Sequence, residues 1–193
     1  MPKTIEDYLS DSKCAITIGT RAGQLERVQI EFIGQVGDIP SLKNSKMPNT
    51  NFMNPQTKLR IGVMDILFAM GAAKLRFKKR LTFETTPVAL LVVCKSRSRN
   101  FDPDNVLSTV KDWLEPRYKQ VGRKRKNRGW GVGIVDNDAQ ITGICVKDCD
   151  LGLKLDKTII VVRRFNANWN KMQDVINEFF LRYEGDDNEW VIN

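Results

Sequence analysis

The sequence predicts an α+β fold, a small mixed β-sheet with packed helices, extended by helical additions at both ends of the chain. Three observations predict it. Residues 87–96, PVALLVVCKS, form an almost unbroken apolar run of strand length, the pattern of a strand buried on both faces. Residues 25–36, LERVQIEFIGQV, alternate apolar and polar, as a strand with one wet face does. Two further segments, opening at Asn54-Pro55 and at Asp102-Pro103, repeat apolar residues at helical spacing behind a capping residue and a proline. The order strand, long helix, strand, helix, strand, strand, helix fits a single domain over 1–193 with its core at 25–165. Residues 1–24 read as an N-terminal addition, and 166–193 as an amphipathic helix with a polar tail.

At the start of the chain Thr4 is placed to cap a short helix, IEDYL, followed by an extended CAITIGT and a turn at Arg21-Ala22-Gly23. After the alternating strand comes a loop rich in Pro, Asn and Ser, GDIPSLKNSKMPNTNFMNPQ. Its residues Ser41, Asn44 and Lys46 suit an ordinary surface loop. The helix from Pro55 puts Leu59, Val63, Ile66, Leu67 and Met70 on one face, carries Lys58 and Arg60 in its first turns and stops near Gly71. A basic connection, Lys74 to Arg80, then leads to the apolar strand, which delivers Arg97 and Arg99 just before Asp102 and Asp104.

The next helix is punctuated on both sides: Asp102 is a good N-cap, Pro103 suits the first position, and Glu115-Pro116 marks the stop. Val106, Leu107, Val110, Trp113 and Leu114 make its inward stripe, while Asp104, Ser108, Lys111 and Asp112 lie outward. Beyond it run a basic segment, RYKQVGRKRKNR, an extended stretch at Val132–Val135, a turn at Asp136-Asn137-Asp138, and two strands, QITGICVK and KTIIVVRRF. Trp169, Met172, Val175, Ile176, Phe179, Phe180 and Tyr183 recur at helical spacing, as a cover for the core or as a dimer contact.

Composition narrows the chemistry. The chain contains no histidine, which removes Ser-His-Asp triads, Cys-His proteases and HExxH zinc sites together. Hydrolysis in this chain therefore has carboxylates, lysines and a metal to work with. The four cysteines offer one C-x3-C, Cys145 and Cys149, without the second pair that a structural zinc site needs, and read as reduced thiols. With 31 Lys and Arg against 23 Asp and Glu, the net charge of +8 favours a polyanionic partner such as nucleic acid or an anionic surface. Met1 to Leu9 is polar, and no apolar run approaches the roughly 20 residues of a membrane helix, so a cytoplasmic protein with no membrane partner is expected.

Carboxylates stand on both sides of the basic segment: Asp102 and Asp104 before it, Asp136 and Asp138 after it. Such acids can converge on a hard cation, since Mg²⁺ takes oxygen ligands and usually one or two carboxylates. The same residues equally suit a helix cap and a turn. In this order, DPDNVLSTVKDWL and VDNDAQI closely resemble the RusA-type Holliday junction resolvases, whose pattern is D-x-D-N, a helix ending in D-x-L, and D-D-A-Q-V. Asp102, Asp104 and Asn105 match the first motif, Asp112 the later helix acid, and Asp138, Ala139 and Gln140 the second motif. Asn137 stands where the family usually has the first acid of its pair. Ser108 replaces a family lysine, and the basic segment is longer than usual.

The resemblance implies a homodimeric endonuclease, dependent on Mg²⁺ with Mn²⁺ as a substitute, that resolves Holliday junctions or other branched DNA. Asp102, Asp104 and Asp138 are its implied metal ligands. Lys111, three residues beyond Ser108 on the same helix face, is the expected catalytic cation, with Lys147 the alternative. Expected DNA contacts are Asn44, Lys46, Arg60, Arg97, Arg99, Arg123, Lys124, Arg125, Lys126 and Lys147. The other outcome open to the same residues is a catalytically weak or inactive protein that binds branched nucleic acid through the basic segment.

Overall fold

The computed structural model describes residues 3–40, 54–76, 80–95, 102–121, 124–147, 157–165 and 187–192. Helix α1, Ile5–Ser10, begins with a reciprocal cap: the Asp7 amide donates to Thr4 Oγ1 at 3.2 Å and the Thr4 amide to Asp7 Oδ2 at 2.8 Å. Strands β1, Ser12–Arg21, and β2, Gln24–Gly34, form a hairpin closed by Ala22 and Gly23 at φ 49° and 70°. Two consecutive left-handed residues make the type of turn whose twist matches the strands it joins.

Helix α2 spans Pro55–Ala72, with Asn54 Oδ1 accepting from the Gln56 amide at 2.9 Å. Strand β3, Val88–Lys95, leads to α3, Pro103–Leu114. Then come β4, Pro116–Val121, β5, Lys124–Val132, β6, Ile141–Lys147, β7, Lys157–Arg164, and β8, Asp187–Ile192. Six strands form the main sheet in the order β6-β3-β7-β2-β1-β8, while β4 and β5 pair separately. The β3–β6 pair is parallel and the other described pairs are antiparallel. The α+β class read from the sequence is the class observed.

One face of the sheet carries the main core, where Ile16, Val28, Phe32, Leu90 and Ile160 meet Ile61, Met64, Val110 and Trp113 from the helices. Trp113 sits at its centre, edge-on to Phe32 at 5.5 Å and to Phe68 at 5.7 Å between ring centroids. On the opposite face Ala89, Leu91 and Val161 form a second buried cluster, so β3 is buried on both sides as its composition predicts.

Four expectations change. Residues 1–24 are no addition, because β1 lies inside the sheet between β2 and β8 and buries Cys14, Ile16 and Ile18. The end of the chain is no loose polar tail over 187–192, which pairs with β1 from Asp187↔Thr20 to Ile192↔Ala15. The basic segment folds as the β4–β5 hairpin. On α2 the buried face is Ile61, Val63, Met64, Leu67 and Phe68, whereas Ile66 and Met70 are exposed. The amphipathic stretch Trp169–Tyr183 lies outside the described residues.

Candidate metal centre and nucleic-acid interface

The first acidic motif opens α3. Asp102 Oδ1 accepts from the amides of Asp104 at 3.1 Å and Asn105 at 3.3 Å, and Oδ2 accepts from Asn105 Nδ2 at 2.5 Å. Asp102 thus satisfies helix amides that would otherwise lack partners, and Asn105, largely buried, fixes the carboxylate's orientation. Asp104 is exposed in the first turn, where a negative charge is favoured by the helix dipole.

The second acidic motif lies at the other end of the same helix. The Asp138 amide donates to Glu115 Oε1 at 2.9 Å, and Glu115 is the residue on which α3 stops. Gln140 holds the turn from both sides: Oε1 accepts from the amides of Asp136 at 2.7 Å and Asn137 at 3.0 Å, and Nε2 donates to the carbonyls of Glu84 and Thr86. The Asp138 side chain is left exposed on this brace.

About 16 Å of helix axis, at 1.5 Å per residue, lies between Asp104 and Glu115. Strand register gives the same result, since Ile141, just after Asp138, pairs with Val88 at the start of β3, whereas Asp102 follows the end of β3. Asp102, Asp104 and Asp138 of one chain therefore do not share a cation. Among the described residues no group of three or more His, Cys, Asp or Glu is placed to hold a metal ion. Their oxygen donors suit Mg²⁺ chemically, but one chain alone does not assemble them.

Lys111 belongs to the Asp138 end. Its Nζ donates to the Ile141 carbonyl at 3.3 Å, and a Cβ built on Gly143 would stand 3.4 Å from its Cε. Lys147 ends β6 in register with Cys94, toward the Asp102 end. Arg60 does not present a free guanidinium: its NH2 donates to the Gln35 carbonyl at 3.1 Å and stands 3.6 Å from Asp38 Oδ2. Lys124 is exposed on β5, where Arg125 and Lys126 follow it. Asn44, Lys46, Arg97, Arg99 and Arg123 lie outside the described residues.

The basic hairpin has a buried root that the sequence does not advertise. Asp65 of α2, only 6% exposed, accepts from Trp113 Nε1 at 2.7 Å, from Arg117 NH2 at 3.0 Å and from the Gly131 amide at 3.4 Å. Burial pushes its carboxyl above the usual range, against the pull of the Trp113, Arg117 and Gly131 donors. One carboxylate thereby ties α2, α3, β4 and β5 together. Gly131 passes so close to the end of α3, at φ 117°, that a Cβ there would lie 2.3 Å from the Glu115 carbonyl.

No protein-family model, curated protein or solved structure matches this chain. Among the described residues no helix is long and apolar enough to cross a membrane. Glu115 as a brace and Asp65 as an anchor are the residues that motif spacing missed, whereas Gln140 was matched with the second motif. A carboxylate at a helix stop and an acid amid an apolar run are the local signals that mark them.

Proposed function

We propose that the protein is a Mg²⁺-dependent, structure-selective DNA endonuclease that cuts Holliday junctions or other branched DNA as a two-fold homodimer. Each metal site draws Asp102 and Asp104 from one copy and Asp138 from the other. The observation that carries this reading is the placement of the two acidic motifs at opposite ends of α3, alongside β6, which is an edge strand among the described residues of the six-stranded sheet. An edge strand presents unpaired backbone groups for a second copy, and two-fold pairing of β6 with itself runs antiparallel. That pairing carries the Asp138 end of one chain to the Asp102 end of the other. Paired sites related by a two-fold axis also suit paired nicks in opposed strands of a junction.

When bound, Mg²⁺ supplies Lewis-acid polarisation of the phosphoryl oxygen and a more acidic water. In this chain Asn105 orients Asp102, Glu115 holds the Asp138 amide, Gln140 holds the turn before it, and Lys111 adds a cation at the Ile141 carbonyl three residues on. The test is complementation between inactive variants on a branched DNA, with Mg²⁺ and with EDTA. Asp102→Asn and Asp138→Asn each abolish cleavage and keep DNA binding; mixed after joint refolding, they regain Mg²⁺-dependent nicking, because each heterodimer holds one intact composite site. Folded, DNA-binding variants that stay inactive when mixed would refute the shared site. Wild-type cleavage by either variant alone would remove that residue from it.

A second reading is favoured by the engagement of both Asp102 oxygens within α3, Oδ1 by the first helix amides and Oδ2 by the Asn105 side chain. On that reading the protein binds branched nucleic acid through its basic surface without cutting it. Equal product formation with Mg²⁺ and with EDTA, at the level of the DNA alone, would establish it.

A further inference from the structure

We propose that the β4–β5 hairpin is an arm that enters the major groove of B-form DNA, so that the protein grips a duplex arm of its substrate and not a single strand. This deepens the nucleic-acid reading above and rests on it. The hairpin pairs Tyr118↔Asn127, Lys119↔Lys126, Gln120↔Arg125 and Val121↔Lys124. In that register Lys119 is the direct partner of Lys126, and Lys124 stands two residues before Lys126 on the same strand.

Like charges directly opposite each other on a ribbon are unfavourable, and a phosphate backbone relieves them. The dimensions select the groove. The major groove of B-DNA admits a two-stranded β-ribbon. Such a ribbon fits that groove, roughly 12 Å wide, and not the roughly 6 Å minor groove. The deep, narrow major groove of A-form RNA excludes it as well. Lys124 and Asn127 are exposed, and Tyr118 is 45% exposed, so these residues of the ribbon stand clear of the core. Its root is held where Arg117 and the Gly131 amide meet the buried Asp65, which fixes the direction of the arm relative to α3.

The experiment compares wild type with the triple variant Lys119→Ala, Lys124→Ala, Lys126→Ala on a B-DNA duplex, an A-form RNA duplex and single-stranded DNA, over a range of salt. Melting temperatures verify that the variant is folded. Wild type is expected to prefer the DNA duplex and to protect guanine N7, a major-groove atom, from methylation by dimethyl sulfate. The variant is expected to bind the duplex about tenfold or more weakly, to lose about 0.9 of log–log salt slope for each phosphate contact removed, and to lose the N7 protection. Wild-type binding to DNA with an unchanged slope and unchanged protection in the variant would overturn the arm while leaving the nucleic-acid reading standing. Equal wild-type affinity for the RNA duplex would overturn the groove assignment. No wild-type binding to any of the three would bring down the nucleic-acid reading itself, and the arm with it.

Discussion

On the proposed nuclease reading, Lys111 supplies the cation that Ser108 lacks. Ser108 has no charge to offer at the position where the RusA-type pattern has a lysine, and the nearest cation on that face belongs to Lys111, held at the Asp138 end by the Ile141 carbonyl. Removing a charge that stabilises a phosphoryl transition state typically costs about 10²-fold in rate or more. Lys111→Ala is therefore expected to lose cleavage by at least about that factor with little change in DNA affinity, measured by single-turnover kinetics and a binding titration. Normal cleavage in Lys111→Ala with a large loss in Lys147→Ala would move the role to the end of β6, and normal cleavage in both would end the idea of a lysine at the site. The capping role of Asp102 was legible because caps are local: an acid, a proline and an apolar stripe within one turn of each other are sufficient. The brace on Asp138 was not, because Glu115 reaches the Asp138 amide, and Gln140 Nε2 the Glu84 and Thr86 carbonyls, through tertiary contacts. At this same scale Cys14 is inert, since burial, with Glu31 nearby, pushes its thiol up to about 12.

At the scale of elements, α3 followed its sequence and α2 did not. Apolar residues occupy almost the whole circumference of α2, so periodicity alone cannot choose the buried face, and packing against β1 and β5 settles it instead. The choice buries Asp65, whose three donors fasten the hairpin to the helices. Burial raises the Asp65 carboxyl, so the folded state binds a proton more readily than the unfolded chain. Its contribution to stability is then greatest below the ordinary carboxylate value and is lost as pH rises through the raised folded value. Urea midpoints of wild type and Asp65→Asn between about pH 4 and about pH 8 should show the balance moving toward the Asn variant as pH rises. A pH-independent difference would mean that Arg117 keeps the group ionised throughout. The hairpin itself was invisible in the sequence, because a run of cations has no alternation to read. Its strands are specified by each other and by a carboxylate 52 residues before Arg117.

Across the whole molecule, the order β6-β3-β7-β2-β1-β8 joins the two ends of the chain, since β8 covers the edge of β1. The pairing was not legible, because a six-residue strand, DNEWVI, acquires its identity only from the edge it meets. Ending the chain at residue 186 should expose the long β1 edge, lowering the melting temperature by several degrees and promoting aggregation, where each kcal/mol lost is worth about 2–4 °C at this size. An unchanged melting curve would show that β8 adds nothing to the sheet. The mixed sheet itself was legible, because its central strands carry their burial in their composition. One connection has an architectural consequence. The chain leaves α3 at Glu115 and returns beside it: the Gly133 amide donates to the Glu115 carbonyl at 3.2 Å, and the Ile134 amide to the Leu114 carbonyl at 2.9 Å. The excursion between is closed at its base like a stem. Its length is therefore uncoupled from the spacing of the acids on either side, and such a stem can lengthen or shorten over generations while the residues at its foot stay in place.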